Sequence, residues 1–322
     1  MSRWKIAAIA LAAFAVIVSL LNASWIAPTP SGKLILVAHR GIAQQFDRTG
    51  IDNQTCTATR IRPPEHNFIE NTLFSMRHAV RLGADVIELD VAPTADGQMV
   101  VFHDWTLDCR TDGKGEVRDQ TLADLKKLDI GYGYTADGGR TFPLRGRGVG
   151  AMPAVEDVLQ GMGRTPIMFN FKSRDPKEAD LLLAAFARAG VKPDQRHSFY
   201  GHPAVVARMK QHVPDAWTFT KEGAKACLID YAKLGWTGFM PESCRDTTVF
   251  VPLNYQWAIW GWPNRFLARM AEANSRVILM GDYKDSIGAG IERPEQLADV
   301  PRAYRGYLWV EDMYNVGRAL QR

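Results

Sequence analysis

The stretch LILVAHRGIA (residues 34–43) joins a run of branched apolar residues to three residues of a different kind. The apolar run has the composition of a strand buried on both faces, which is typical of a parallel sheet. It ends in His39, Arg40 and Gly41: an imidazole, a guanidinium and a residue without a side chain. We expect the strand to deliver His39 and Arg40 to the rim of a sheet, and Gly41 to let the chain turn there.

Beyond this stretch, short apolar runs alternate with amphipathic ones. Further strand candidates are DVIELDV (85–91), QMVVFH (98–103), PIMFNFK (166–172), HSFY (197–200), AWTFT (216–220), TTVFVPL (247–253), RVILMG (276–281) and GYLWVE (306–311). Helical periodicity marks residues 70–83, 175–190 and 264–276. This alternation predicts parallel β/α units.

The length after the leader, residues 33–322, is close to the roughly 250 residues of an eight-fold barrel with insertions. We predict an α/β fold, a TIM (β/α)8 barrel with inserted loops, preceded by an N-terminal hydrophobic segment. A doubly wound open sheet is the alternative, but no Gly-rich dinucleotide loop follows the first strand. Residues 42–69 and 131–153 look inserted. Ordinary surface loops are one interpretation of both, and their length suggests lids or binding loops as the other.

The N-terminal segment, residues 1–32, is either a signal peptide or a membrane anchor. The basic pentapeptide MSRWK precedes a charge-free stretch, residues 6–28, that is long enough to span a bilayer. The nearest cleavage candidate, LNA (21–23), has Leu where a small residue is preferred, which favours an uncleaved anchor. Either alternative predicts an exported barrel domain, residues 33–322, anchored and facing the periplasm or exterior, or secreted after cleavage.

The overall charge is mildly basic, with a net charge of +4 over 322 residues and no long Lys/Arg run. This favours a small anionic substrate or a membrane surface over a nucleic acid as partner.

The four cysteines allow three pairings. Export favours two disulfide bonds, and we expect Cys56 with Cys109 and Cys227 with Cys244, because each pair lies within one half of the chain. Four free thiols are the alternative. A metal site is disfavoured because no Cys-x-x-Cys spacing occurs.

Two carboxylates lie two residues apart in VIELDV. On a strand, Glu88 and Asp90 point to the same face, where they repel each other unless they are solvated, protonated or bound to a cation. Oxygen ligands of this kind suit Ca²⁺ or Mg²⁺. An exposed strand face with solvated acids is the alternative.

Other polar side chains follow the same pattern. His103 ends the apolar run QMVVFH as His39 ends the first one, so the two could act as general acid and general base. Asn170 and Lys172 share a face of the next strand candidate. Lys172 and Arg40 together suit an anionic group, whereas a structural ion pair of Lys172 with a barrel acid is the alternative.

Several motifs, in order and spacing, closely resemble the glycerophosphodiester phosphodiesterase family, which is related to phosphatidylinositol-type phospholipases C. They are HRG (39–41), ENT (70–72), GADVIELDV (83–91), TADGQMVVFHDWTLDCRTDGKG (94–115) and LDIG (128–131). The resemblance weakens through MPAVEDVL and PIMFNFKS. In the C-terminal third it is limited to the strand–helix alternation.

The resemblance implies a TIM barrel that cleaves glycerophosphodiesters to glycerol 3-phosphate and an alcohol, usually with a divalent cation, here Ca²⁺ or Mg²⁺. It places the acid–base histidines at His39 and His103. It places the phosphate-contacting residues at Arg40 and Lys172, with Glu70 as a supporting acid. The metal ligands it implies are Glu88, Asp90 and Asn170. The family usually has Glu where this chain has Asn170. An amide oxygen can still ligate the cation but brings no charge, so the resemblance implies weaker or altered metal binding.

Two alternatives remain. An enzyme acting on intact phospholipids, phospholipase C- or D-like, is favoured by the N-terminal segment and by the aromatics of NYQWAIWGWP (254–263). A catalytically silent barrel that binds phosphodiesters is favoured by Asn170 alone. In every case the expected partner is a small phosphodiester, with a membrane contact through the N-terminal segment if it is uncleaved.

Overall fold

The computed structural model describes residues 2–52, 55–284 and 287–321. The helices are α1 Arg3–Leu21, α2 Leu73–Arg81, α3 Leu122–Leu125, α4 Val155–Met162, α5 Lys177–Arg188, α6 Pro203–His212, α7 Lys221–Leu234, α8 Asn264–Glu272 and α9 Met313–Leu320. The strands are β1 Ile35–His39, β2 Val86–Pro93, β3 Met99–Val101, β4 Ile167–Phe171, β5 His197–Gly201, β6 Trp217–Thr220, β7 Thr248–Pro252, β8 Arg276–Met280, β9 Tyr283–Lys284, β10 Ile287–Gly288 and β11 Tyr307–Val310.

In the described part of the chain, eight parallel strands form one sheet in the order β6-β5-β4-β2-β1-β11-β8-β7. This is the nearly closed barrel of the TIM fold, so the predicted fold class is confirmed. β2 is buried on both faces over Val86–Ala92, where Glu88 and Asp90 are the two polar side chains among apolar ones. Helices between strands supply the crossovers that parallel pairing needs.

The chain forms two compact units. Unit 1 comprises Met1–Ile35, Lys221–Gly288 and Glu295–Leu308, and unit 2 comprises Leu36–Thr220, Ala289–Pro294 and Trp309–Arg322. A disulfide bond lies in each: Cys227–Cys244 in unit 1 and Cys56–Cys109 in unit 2. These are the two pairs expected from the sequence.

The strand that precedes His103 is not a barrel strand. β3 pairs antiparallel with β2, with Val101 opposite Val91. A tight turn causes the reversal: the Thr94 amide donates to the carbonyl of Gln98 at 3.0 Å. The expectation that His103 ends a parallel strand is therefore wrong, because the chain returns as a hairpin instead of crossing over.

The described residues of the two insertions lie in unit 2, and several of them are buried. Apolar residues of the two insertions and of the segment between them form one small core. This core includes Ala58, Ile61, Leu107, Tyr134, Leu144 and Met152. The Cys56–Cys109 bond fastens the first insertion to the segment that follows His103. The insertions thus support the region around His103 with a core of their own.

Candidate active site

Polar side chains gather at the carboxyl ends of three adjacent strands of unit 2. His39 ends β1 and lies beside Glu88 of β2 in the parallel register. Asp90 of β2 lies beside Asn170 of β4, and Lys172 follows directly after β4. Because parallel strands all end at one rim, residues distant in sequence meet there.

Arg40 has an uncommon backbone conformation at the end of β1. Its φ is +58°, a left-handed value that non-glycine residues with long side chains seldom adopt. Gly41 follows with a φ of +79°, and a Cβ added there would lie 2.7 Å from Oγ of Ser75 and 2.9 Å from the backbone N of Met76. Gly41 is thus required by both its positive φ and the close approach of α2. The strained turn at Arg40 is of the kind that clusters at functional sites.

The Arg40 side chain lies among carboxylates. Nη1 donates to Oε1 of Glu70 at 2.8 Å, and Nε lies 3.0 Å from Oδ2 of Asp90. The second contact is an ion pair without hydrogen-bond geometry, which leaves the buried Nε proton unbonded. Burial opposes the charge, but Asp90 and Glu70 together hold the pKa of Arg40 above its ordinary value. The guanidinium is therefore a fixed positive charge in the site.

Asp90 is surrounded by donors. The amides of Asn71 and Asn170 donate to its two oxygens at 3.1 and 2.8 Å, and Nζ of Lys172 lies 3.5 Å away. Burial alone would raise its pKa, but Lys172 and Arg40 hold the pKa of Asp90 well below its usual range. Asp90 is consequently ionised and positions the two cationic side chains.

Glu88, fully buried, has fewer partners. Its Oε1 accepts from the Tyr200 hydroxyl at 2.6 Å, and its Oε2 lies 3.8 Å from Nε2 of His39. Burial, and then the charge of Asp90, raise the pKa of Glu88. The two carboxylates repel each other across one strand face, as the sequence pattern predicts.

On its Nδ1 side, His39 contacts the carboxylate of the residue that directly follows the last barrel strand, β11. Nδ1 of His39 lies 2.8 Å from Oε1 of Glu311, which also pairs with Nη2 of Arg48 at 2.7 Å. Burial opposes ionisation, but Arg48 and His39 hold the pKa of Glu311 well below its usual range. With Glu311 ionised, Nδ1 carries the proton and Nε2 faces the site.

His103 has the same arrangement with different residues. Its Nδ1 lies 2.6 Å from Oδ1 of Asp104, whose Oδ2 accepts from Nε of Arg110 at 2.8 Å. Nη1 of Arg110 lies 3.1 Å from Oε2 of Glu70, which links this group to Arg40. Burial and the charges of Arg40 and Lys172 lower the pKa of His103 to about 4. The ring is neutral at pH 7.

Comparison with known proteins matches this region to a single family. The sequence model of the Glycerophosphoryl diester phosphodiesterase family matches residues 39–192, which include the described residues of the site from His39 to Lys172. A glycerophosphodiester phosphodiesterase of Caldanaerobacter subterraneus subsp. tengcongensis is 51% identical over 73 residues, 23% of this chain and 30% of that protein. One of Bacillus subtilis is 41% identical over 98 residues, 30% of this chain and 32% of that protein.

Residues 39–192 of this chain are therefore similar to the glycerophosphoryl diester phosphodiesterase family. The chain aligns with about a third of the length of these two curated relatives.

Solved structures of the family share the fold over nearly the whole chain. The glycerophosphoryl diester phosphodiesterase domain of a Mycobacterium tuberculosis protein gives a TM-score of 0.63 at 15% identity, covering 90% of this chain and 99% of that one. A glycerophosphodiester phosphodiesterase of Agrobacterium tumefaciens gives 0.57 at 19% identity, covering 90% and 100%. At these identities the likeness concerns the fold alone.

The family generally depends on a divalent metal. The site of this chain contains oxygen ligands of the type that divalent cations bind. Glu88 and Asp90 offer two buried carboxylates whose repulsion a cation would relieve. The nitrogen of Asn170 is bonded to Asp90, and no cluster of three His, Cys, Asp or Glu suited to a metal occurs within residues 2–52, 55–284 and 287–321. Two carboxylates fit Mg²⁺, which usually keeps several waters and is completed by substrate phosphate.

The structure brings together every site residue predicted from the sequence, and it adds others. The added residues that contact the predicted ones directly are Asn71, Asp104, Arg110, Tyr200 and Glu311. Each had a signal in the sequence: the first three lie within the motifs of the resemblance, and Tyr200 and Glu311 end the strand candidates HSFY and GYLWVE just as His39 ends the first one.

Proposed function

We propose that this chain hydrolyses glycerophosphodiesters to glycerol 3-phosphate and an alcohol. The observation that carries the proposal is the pair of histidines, each bonded through Nδ1 to an ionised carboxylate, around a cationic centre made by Arg40 and Lys172. The names of the relatives support it. So does a phosphodiesterase of Oleispira antarctica, solved with the product sn-glycerol-3-phosphate (TM-score 0.52, 16% identity, covering 93% of this chain and 100% of that one).

The cationic centre is suited to a phosphodiester anion. Arg40 can donate two parallel hydrogen bonds to non-bridging oxygens, and Lys172 adds a point charge. Because Asp90 holds both side chains in position before substrate arrives, little reorganisation is needed as negative charge builds in the transition state. Glu70 positions Arg40 from its other side.

The two histidines divide the proton transfers. His103 is neutral at pH 7, and Asp104 holds the proton on Nδ1, so Nε2 can accept a proton from the nucleophile. The nucleophile is water, or the neighbouring glycerol hydroxyl, whose cyclic phosphate product is then opened by water. As the oxygen of the nucleophile forms its bond to phosphorus, the bond from phosphorus to the departing alcohol breaks. His39 acts as the imidazolium and donates its Nε2 proton to the alcohol oxygen, while Nδ1 keeps its proton beside Glu311. Glu311 stabilises the imidazole of His39 throughout.

A divalent cation, Mg²⁺ or Ca²⁺, would be held by Glu88 and Asp90 with the amide oxygen of Asn170. When bound, it supplies positive charge to a non-bridging phosphate oxygen. Since Asn170 brings no charge and Asp90 already has two amide donors and two cationic partners, we propose that binding is weak.

Asn170→Glu tests that proposal. The added carboxylate is expected to lower the Mg²⁺ concentration for half-maximal binding about tenfold, because affinity rises with ligand charge. Isothermal titration calorimetry measures the change without reference to turnover. Asn170→Gln is the neutral control and should leave the affinity low. Equal affinities for Glu and Gln would remove Asn170 from the metal site.

Glu311→Gln tests the role of the carboxylate behind His39. We expect kcat to fall at least about tenfold, because an amide no longer fixes the imidazole proton on Nδ1. KM should change little, since Glu311 makes its described contacts behind the ring. Glu292→Gln is the matched control, because Glu292 pairs with Arg48 but not with His39. A parallel loss in both variants would show that Glu311 merely stabilises the fold.

The decisive experiment for the function is release of glycerol 3-phosphate from glycerophosphocholine by the full chain in detergent, with Mg²⁺, Ca²⁺ or EDTA. Metal-stimulated product that disappears in His39→Ala is expected. Micellar phosphatidylcholine and lysophosphatidylcholine are the competing substrates. Turnover of these lipids alone would make the chain a phospholipid phosphodiesterase, and no turnover of any substrate by a folded protein would favour a binding role.

The location of the enzyme belongs to the same proposal. An exported barrel domain agrees with the two disulfide bonds and with the apolar helix α1. The division into residues 1–32 and a barrel domain of residues 33–322 stays a prediction.

A further inference from the structure

The C-terminal end of α1 is bound by a buried arginine of unit 1. Arg269 of α8, only 9% exposed, donates to the carbonyl of Leu21 at 2.9 Å and to Oδ1 of Asn22 at 3.0 Å. The same guanidinium donates to the Tyr231 hydroxyl and the Gly235 carbonyl. The last turn of α1 is therefore a structural part of unit 1.

The residues after α1 are seated in the same place. Ala23 and Ala27 are 1% and 6% exposed, and Oγ of Ser24 accepts from the amide of Asn264 at 2.9 Å. The side-chain amide of Asn22 donates to the carbonyl of Trp236 at 2.8 Å. Cleavage in this stretch would leave the buried Arg269 without two acceptors, which is costly for a charged group.

Before its last turn, α1 makes one described ring contact, between Phe14 and Trp236 with centroids 5.8 Å apart. The helix has 19 residues, an 18-residue window with a mean hydropathy of 2.3, and no buried residue among those described. At 1.5 Å per residue it is about 28 Å long, close to the hydrocarbon thickness of a bilayer. An apolar helix that is fixed at one end and exposed along most of its length fits a lipid environment.

Unit 1 exposes several large apolar side chains, which include Trp25, Ile26, Phe239, Trp257 and Trp260. Trp25 and Trp257 are each 81% exposed. The Trp260 carbonyl accepts a hydrogen bond from the hydroxyl of Tyr231, and that hydroxyl also contacts Arg269. Phe239 follows Gly238, and a Cβ added at Gly238 would lie 3.4 Å from Nη2 of Arg269. Tryptophan is enriched where proteins meet the polar boundary of a bilayer.

We propose that α1 is retained in the mature protein as a membrane anchor. We further propose that the interfacial face, defined as Trp25, Ile26, Phe239, Trp257 and Trp260, lies in the headgroup region of the same bilayer. Arg269 makes anchor and face one rigid element, so unit 1 is held against the lipid surface and does not swing on a tether. This inference does not depend on the proposed activity.

The first test is the N-terminus of the mature chain. The full chain is expressed in a bacterium and the membrane fraction is washed with alkaline carbonate. Intact-mass measurement should show that residues 3–21 are present in protein that resists extraction. A mature chain that starts within residues 22–28, or one that carbonate releases, would overturn the proposal.

The second test addresses the interfacial face. The protein is reconstituted in phosphatidylcholine vesicles brominated near the glycerol or at the acyl-chain ends, and quenching of tryptophan emission is recorded. Trp25→Ser and Trp257→Ser should each reduce the emission quenched by the shallow bromines and have less effect on deep quenching. Both residues are exposed, so folding is preserved. Unchanged shallow quenching, or cross-linking of this face to a second copy, would contradict contact with lipid.

Arg269→Met tests the rigid connection. Removing the guanidinium should speed protease cleavage within residues 22–30 severalfold, and Arg269→Lys should restore part of the protection. Arg245→Ala is the control, since Arg245 is exposed and pairs with Glu242. Equal cleavage rates in all four proteins would show that Arg269 does not hold the anchor. The first two tests use the native fold and stand if Arg269→Met unfolds.

Discussion

His103→Ala is expected to lower kcat for glycerol 3-phosphate release by about 10²- to 10⁴-fold, the usual contribution of a positioned general base. Nε2 of His103 is the proton acceptor, and Asp104 and Arg110 hold the ring in place. KM should change less than kcat, because Arg40 and Lys172 carry the phosphate contacts. Steady-state kinetics on glycerophosphocholine measures both parameters.

The pH profile provides a second, independent result. A base must be neutral, and the pKa of His103 is lowered from 6.5 to about 4. We expect kcat/KM to stay high as pH falls through 6.5 and to decline only as it approaches 4. His103→Ala should lose this acidic limb.

The lowered pKa of His103 also makes the free energy of unfolding depend on pH, with a sign that can be worked out. Because the unfolded chain binds a proton at His103 more readily, the fold loses stability as pH falls from about 6.5 towards 4. This part of the pH dependence should be absent in His103→Ala, measured by urea unfolding across that range. His212→Ala, a surface histidine paired with Asp180, is the control for both experiments. An acidic limb near 6.5 in the wild-type protein would contradict the assignment of His103 as a base with a lowered pKa.

The sequence predicted the site best where one physical rule was enough. Parallel strands end at a common rim, so polar residues that terminate buried runs meet there, and His39 follows from that rule. Glu88 and Asp90 follow from another, that residues two apart on a strand share a face. The rim rule also applied to Tyr200 and Glu311, but neither belongs to a recognisable motif. Glu311 lies 272 residues from His39 in the chain, and only the folded barrel makes them partners.

The antiparallel course of β3 had a sequence signal of a different type. Only residues 94–98 separate β2 from β3, too few for the crossover of a dozen or more residues that parallel strands require. Linker length therefore indicated a hairpin, whereas the apolar run QMVVFH carries no information on direction. The packing of the two insertions was less predictable, because their few apolar residues show no regular period and meet only after folding.

Arg40→Met is expected to lower kcat/KM by at least about 10³-fold, since it removes the principal hydrogen-bond donor to the charge that develops on phosphate. It should also lower the free energy of unfolding by about 3–5 kcal/mol, because two buried carboxylates, Glu70 and Asp90, lose a cationic partner. Thermal or urea unfolding and steady-state kinetics measure the two effects separately.

Arg40→Lys separates the charge of this residue from its shape. A lysine supplies the positive charge that the carboxylates require, so it should recover much of the lost stability. It cannot donate two parallel hydrogen bonds to phosphate or bridge Glu70 to Asp90 in one plane, so kcat/KM should stay low. Recovery of activity together with stability in Arg40→Lys would mean that charge alone is needed. The strained conformation at φ +58° would then have no part in aiming a guanidinium at the substrate.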